Sequence, residues 1–168
     1  MIIAVTERLF LRPYEGADLK QLHRIFSDVE TMRFYPAPFS LQQTKKWIDR
    51  NKERYLVDGV GLWAVCLKDT KQLIGDCGIV KQIVDGQEEM EIGYHIHKHH
   101  WSKGYATEAA KVCRQLGFER MKLSKLISII DPLNVASIRV AEKIGFKKEK
   151  ESDIFGKTHL IYARYRGS

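Results

Sequence analysis

No apolar run in the 168 residues approaches the ~18 needed for a membrane-spanning helix, so no segment is expected to cross a bilayer and no membrane partner is expected. The opening MIIAVTERLFLRP lacks the basic start and long apolar core of a secretory signal, which makes the cytoplasm the expected compartment. Cysteine is scarce and odd in number. Cys66, Cys77 and Cys113 stand far apart with no CxxC pair, which argues against a disulfide framework and a zinc knuckle and leaves free, mostly buried thiols. Repeats, low-complexity tracts and linker-like stretches are also missing, so residues 1–168 are expected to pack as a single domain.

The hydrophobic fraction of 44% and charged fraction of 29% suit a soluble globular chain rather than a disordered one. A net charge of +7 fits nucleic acid, a membrane surface or an anionic ligand equally well. Lys and Arg are spread along the chain, the densest cluster being Lys143, Lys147, Lys148 and Lys150, which reads as a solvated face. No basic motif interleaved with aromatics supports nucleic acid as a partner.

Periodicity predicts a strand at Thr6–Arg12, then a helix from Asp18 with Leu19, Leu22, Ile25, Phe26 and Val29 on one face. Ser40 with Gln43 forms a capping box for a second helix. Alternation then predicts strands at Gly61–Lys68, Leu73–Gln82 and Glu88–His97, with turns at Asp69–Lys71 and Asp85–Gly86. A helix follows Gly104, a fully apolar strand spans Leu126–Ile130, and a further helix spans Asn134–Lys143, stopped by Gly145. Phe146–Asp153 and Thr158–Arg166 close the chain as a hairpin around Phe155–Lys157. A meander followed by a βαβ step implies a mixed sheet with helices on both faces.

The stretch Glu89–Ala110, EMEIGYHIHKHHWSKGYATEAA, carries most of the chemistry. It reads as a strand, a glycine turn and a helix start. The first N–H groups of a helix have no intrahelical partner and sit at its positive end, so this is a site for an anion, and a phosphate-bearing ligand is the first expectation. His95, His97 and His99 alternate onto one face, as a three-histidine metal site would, yet no carboxylate or cysteine completes a metal motif and no metal is expected.

TERLFLRP, EIGYHI with WSKGYATEAA, and NVASIRVAEKIGF occur in this order and together span most of the chain. The sequence resembles the GNAT superfamily of acetyl-CoA-dependent N-acetyltransferases, in particular the branch of ribosomal-protein N-terminal acetyltransferases. The resemblance implies an α+β fold: a mixed, mostly antiparallel twisted sheet of about seven strands, flanked by about four helices and splayed between the fourth and fifth strands. It implies acetyl-CoA as cosubstrate, with the pyrophosphate on Trp101, Ser102, Lys103, Gly104, Tyr105, Ala106 and Thr107. The pantetheine arm then lies along the backbone of His95, Ile96 and His97, with Asn134 and Lys143 also on the donor side. Trp101 departs from the Gln or Arg that commonly opens the family's loop, a change that matters little where backbone amides do the binding, since each bond to a charged group is worth roughly 1.5–3 kcal/mol.

Amide formation from a thioester needs a neutral amine and a proton for the departing thiolate. The resemblance places Glu91 as base, with Glu89 on the same face and a water relay as alternatives, and Ser137 as the group that protonates the thiolate. Ala141 stands where many members carry a tyrosine acid, which keeps a catalytically silent CoA-binding module as the competing expectation. An α-amine near pKa 7.8 is roughly 14% neutral at pH 7 and a lysine near 10.4 about 0.04%, which favours a peptide N-terminus or another low-pKa primary amine as acceptor. Either a monomer or a homodimer is compatible with the sequence.

Overall fold

The structure, a computed structural model, describes residues 1–168. The elements run β1 (Ala4–Val5), β2 (Leu9–Arg12), α1 (Leu19–Phe26), α2 (Leu41–Val57), β3 (Leu62–Leu67), β4 (Leu73–Val84), β5 (Gln87–Ile96), α3 (Tyr105–Gln115), β6 (Lys125–Ile130), α4 (Val135–Lys143), β7 (Lys147–Ile154) and β8 (Lys157–Tyr165). All eight strands join one sheet in the order β1-β2-β3-β4-β5-β6-β8-β7, antiparallel throughout except for the parallel step from β5 to β6. The expected mixed sheet, its four helices and its splayed pair, here β5 and β6, are all present.

Two local expectations need correction. The predicted first strand is two strands: Thr6 and Leu9 bond to each other across a turn at residues 6–8, so β1 folds back on β2 and raises the strand count to eight. A run of alternating residues cannot by itself reveal such a turn. Helix α1 stops at Phe26, and Val29, expected on its buried face, is exposed. After Gln115 the chain widens into a π-helical turn over Leu116–Arg120.

Other local signals hold. Ser40 and Gln43 form the reciprocal capping box of α2. Asp85–Gly86 and Phe155–Gly156 both take positive φ at both positions, the geometry that matches hairpin twist.

Helices α1 and α2 cover one face of the sheet through a cluster including Leu22, Ile25, Phe26, Ile48, Ala64 and Cys66. Helices α3 and α4 cover the other, where Ala109, Ala110, Cys113 and Ala141 pack on Cys77, Ile79, Ile92 and Ile96. The small residues let α3 approach the sheet closely. Asn51 fastens α2 to β3: its Oδ1 accepts from the Leu62 N–H at 2.9 Å while its amide donates to the Trp47 carbonyl. The middle of β5 is thus held between helix layers, and its side chains reach both.

Candidate active site

The sheet opens at one place. Strands β4 and β5 pair along their whole length, from Gly75 opposite Ile96 to Val84 opposite Gln87. Strands β5 and β6 are matched at Glu91 and Ile127 only, so they diverge toward their carboxyl ends. Ligands of open α/β sheets enter at such strand ends.

Immediately beyond β5 the chain forms the predicted loop. Ser102 and Gly104 both take positive φ, 62° and 82°, which turns successive N–H groups toward one concavity. Gly104 is the N-cap of α3 and offers no side-chain cap. The N–H groups of Tyr105, Ala106 and Thr107 therefore lack intrahelical partners, and the first helical bond is that of Glu108 to the Gly104 carbonyl. Ser102, Lys103 and Gly104 are exposed around this opening. Trp101 is placed differently from a phosphate ligand: its indole N–H donates to the Ile96 carbonyl at 2.7 Å and closes the end of β5.

The residues expected to carry the pantetheine arm divide. The His97 N–H bonds to the Ile74 carbonyl on β4, and the His95 carbonyl lies against Gly75 of the same strand, so the backbone of both residues is directed at β4. Neighbouring peptides of a strand point to opposite sides, so Ile96, whose carbonyl reaches Trp101, presents its peptide to the opening. Asn134 caps α4 by accepting the Ser137 N–H at 3.2 Å. Lys143 is exposed in the last turn of α4, nine residues and about 13.5 Å along the axis from Asn134.

Glu91 lies on the β5 face covered by α1 and α2, and its partner is the Gln82 amide at 3.0 Å. Burial pushes its carboxyl up to about 7, against the lowering effects of Gln82, His95 and Arg54. Glu89, two residues away, pairs with Lys125 at 2.9 Å, and Lys125 also holds Glu149. The two glutamates therefore separate: Glu89 is engaged in an ion network, whereas Glu91 has no cation bound to it and titrates near neutrality.

On the opposite face of β5, the Tyr94 hydroxyl donates to Ser137 Oγ at 2.9 Å, joining α4 to β5 beside the opening. Burial pushes the Tyr94 phenol up, so it stays a neutral donor. With Ala141 buried in the core, Tyr94 is the tyrosine hydroxyl linked to Ser137, an arrangement hidden by their separation of 43 residues.

Arg8 was also not foreseen as part of the site. Its guanidinium lies 4.3 Å from the Tyr105 ring centre and bonds to Glu108 Oε1 at 2.8 Å, while the Arg8 N–H and the Thr6 hydroxyl take the other carboxylate oxygen. Burial raises the Glu108 carboxyl, but the bonds from Thr6 and Arg8 outweigh it and hold the group below its usual range. The TERL turn thus neutralises an acid in the first turn of α3, the helix whose uncapped start is the candidate anion site.

The histidines do not converge on one point. His97 and His99 meet edge to face at 4.5 Å, His100 lies near Tyr105, and His95 is buried elsewhere. The lysine cluster is partly ion-paired, Lys150 with Asp85 at 2.8 Å and Lys148 with Glu151 at 3.2 Å. No helix is long and apolar enough to cross a membrane.

The chain is similar to known proteins over most of its length. The model of the acetyltransferase (GNAT) domain matches residues 8–147. Uncharacterized protein YkkB of Bacillus subtilis is 40% identical over 161 residues, covering 95% of this chain and 94% of that protein. The spermidine N(1)-acetyltransferase of Escherichia coli K12 is 29% identical, covering 84% and 74%. The crystal structure of a GNAT-family acetyltransferase from Bacillus anthracis superposes with a TM-score of 0.82 at 30% identity, over 98% of each chain. A sheet splayed beside an open helix start, a titratable glutamate and a paired hydroxyl on its two faces, and these likenesses lead to one assignment: the chain belongs to the GNAT family of acetyl-CoA-dependent N-acetyltransferases.

Proposed function

We propose that the chain transfers acetyl from acetyl-CoA to a primary amine by direct attack in a ternary complex, with the α-amine of a peptide as the favoured acceptor. The donor pyrophosphate rests on the N–H groups of residues 102–107, supported by the positive end of α3, and the pantetheine arm runs between β5 and β6 past Ile96. The thioester then lies at the level of Gly93 and Tyr94. From that level Glu91 is reached on one face of the sheet and Ser137 on the other, so base and acid flank the reacting carbon.

Glu91 accepts a proton from the attacking nitrogen, and the Tyr94–Ser137 pair supplies one to the departing sulfur. A base near pKa 7 is matched to neutral operation, because it is half ionised and still basic enough to accept. A thiol near 8.5 leaves with little assistance, so a neutral hydroxyl is a sufficient donor. The observation that carries this reading is the position of Glu91: half-buried at the fork of the sheet, without a bound cation, and titrating near neutrality.

An α-amine near pKa 7.8 gives a base of this strength a sizeable neutral fraction, whereas a lysine side chain does not. Polyamines are the second reading, favoured by the name of the Escherichia coli relative. The chain's net charge of +7 opposes the approach of a polycation. The test is a screen of thiol release from acetyl-CoA with alanyl and seryl peptides, spermidine and free amino acids, with the product weighed by mass spectrometry. Turnover of the peptides with an acetyl increment on the N-terminus is expected. Spermidine turnover with inert peptides would reverse the choice, and no turnover on any amine would overturn the proposal.

A further inference from the structure

A second polar system lies on the same face of β5 as Glu91. Asp76 on β4 stands directly opposite His95 on β5 and is fully buried. Its carboxylate accepts from Tyr14 at 2.6 Å, from the Trp47 indole N–H at 3.0 Å and from His95 Nδ1 at 2.7 Å. His95 Nε2 in turn meets the hydroxyl of Tyr35, which belongs to the loop between α1 and α2. Tyr35 is 38% exposed as a residue, His95 9% and Asp76 0%, so burial deepens along the chain toward Asp76.

The donors fix the direction of the hydrogens. A tryptophan N–H can only donate, and a carboxylate can only accept. With Nδ1–H given to Asp76, the neutral ring carries its lone pair on Nε2, which must take the Tyr35 hydroxyl hydrogen. The Tyr35 oxygen is left with lone pairs alone, and what it can receive is an N–H or O–H donor. Burial and the charges of Asp76 and Glu91 push the Tyr35 phenol up, so the hydroxyl keeps its proton unless His95 takes it. The charged groups facing His95 are Asp76 from β4 and Glu91 from β5; α1 and α2 pack the uncharged rings of Phe26 and Trp47 against it, and α2 also carries Arg54, whose charge acts on both Asp76 and Glu91.

Gly93 lies midway between His95 and Glu91, opposite Gly78. Each of the two acidic-basic stations is two residues, about 7 Å, from the level assigned to the thioester. The reaction has work for two. An amine arrives as an ammonium with three N–H bonds and leaves as an amide with one, so two protons must be removed from nitrogen.

We propose that Tyr35, His95 and Asp76 form a proton relay that receives the acceptor ammonium and removes the first of these protons. This rests on the N-acetyltransferase reading above. The ammonium passes a proton to the Tyr35 oxygen as the Tyr35 proton moves to His95 Nε2, giving a neutral amine and an imidazolium held by Asp76. The imidazolium then returns the proton to solvent through Tyr35. The amine forms its bond to the thioester carbon, the C–S bond breaks, and the second nitrogen proton goes to Glu91. Sulfur takes one proton through Ser137, and one proton in total is released.

Tyr35→Phe removes the hydroxyl and keeps the ring, and His95→Gln removes the acceptor nitrogen. With an alanyl peptide as acceptor, each is expected to lower kcat/KM by up to about sevenfold at pH 7, the reciprocal of the roughly 14% of α-amine already neutral there, with CoA affinity within twofold of wild type. The deficit is expected to shrink as the pH rises past 8, where the α-amine arrives already neutral. A deficit that is the same from pH 6 to 10, or none at all, would overturn the relay. The nitrogen NMR spectrum of the unliganded enzyme gives a readout independent of any acceptor: His95 is expected as the Nδ1–H tautomer, and an Nε2–H tautomer would overturn the relay even if no amine is turned over. Failure of the wild type to acetylate any amine, with His95 in the Nδ1–H form, would instead count against the transferase reading.

Discussion

Glu91→Gln should abolish most activity and, above neutrality, make the fold more stable. The side chain keeps its shape, and the Gln82 amide can still donate to the new carbonyl at the 3.0 Å position. What disappears is the cost of ionising a carboxyl that burial has raised from 4.5 to about 7. At 1.36 kcal/mol per pH unit, that cost is roughly 3 kcal/mol. Its sign follows from the direction of the shift. Below pH 4.5 the group is protonated in both folded and unfolded chains and costs nothing. As the pH rises from 4.5 to 7 the unfolded chain ionises first, stability falls, and above 7 the full cost remains. The variant has no such slope, so the two proteins should melt together at pH 4 and separate by up to about 3 kcal/mol at pH 8.5. For a chain of this length that is roughly 6–12 °C in Tm. Turnover should fall by 10²–10⁴ and lose its acidic limb near pH 7. Scanning calorimetry at the two pH values and a kcat/KM profile are the assays. Parallel melting at both pH values, or an unaltered acidic limb, would show that Glu91 is neither desolvated nor the base.

Ser137→Ala should lower kcat about tenfold or more while leaving CoA affinity within twofold, because Asn134 caps the Ser137 backbone N–H and not its side chain; unchanged turnover in a stopped assay would remove Ser137 from the reaction. Glu89→Gln should leave kcat within twofold of wild type, since Glu89 serves an ion pair with Lys125, and a loss matching that of Glu91→Gln would transfer the base to Glu89. Arg8→Ala should weaken CoA binding by about 1 kcal/mol, fivefold at low salt and less at high salt, by leaving Glu108 unneutralised beside the anion loop; calorimetric titration showing equal affinity would contradict this.

The parts of the molecule legible in the sequence are those decided within a few residues. The Ser40–Gln43 box, the Asp85–Gly86 and Phe155–Gly156 turns and the left-handed Gly104 each depend on backbone geometry that the local residues dictate. The splayed pair of strands was legible for a different reason: three motif blocks in order carried a family resemblance. Alternation placed Glu89 and Glu91 on one face, yet could not say which neighbour each would meet. That choice belongs to the packing, which gives Lys125 to Glu89 and Gln82 to Glu91. The same limit hid Arg8 beside Glu108 at a separation of 100 residues and Tyr35 beside His95 at 60. Asp76 carried no signal because a lone acid within a strand reads as a turn-ward or exposed residue, and only the donors from Tyr14, Trp47 and His95 make its burial tolerable.

Binding of CoA to the opening beside α3 underlies every step above, and thermal unfolding tests it most directly. CoA at about 100 times its dissociation constant should stabilise the fold by about 2.7 kcal/mol, raising Tm by roughly 5–11 °C. Gly104→Glu, which puts a charged side chain at the left-handed start of α3 where the proposed pyrophosphate site lies, should fold and show no rise. A wild type that does not respond to CoA or acetyl-CoA, or a variant that responds equally, would contradict the account.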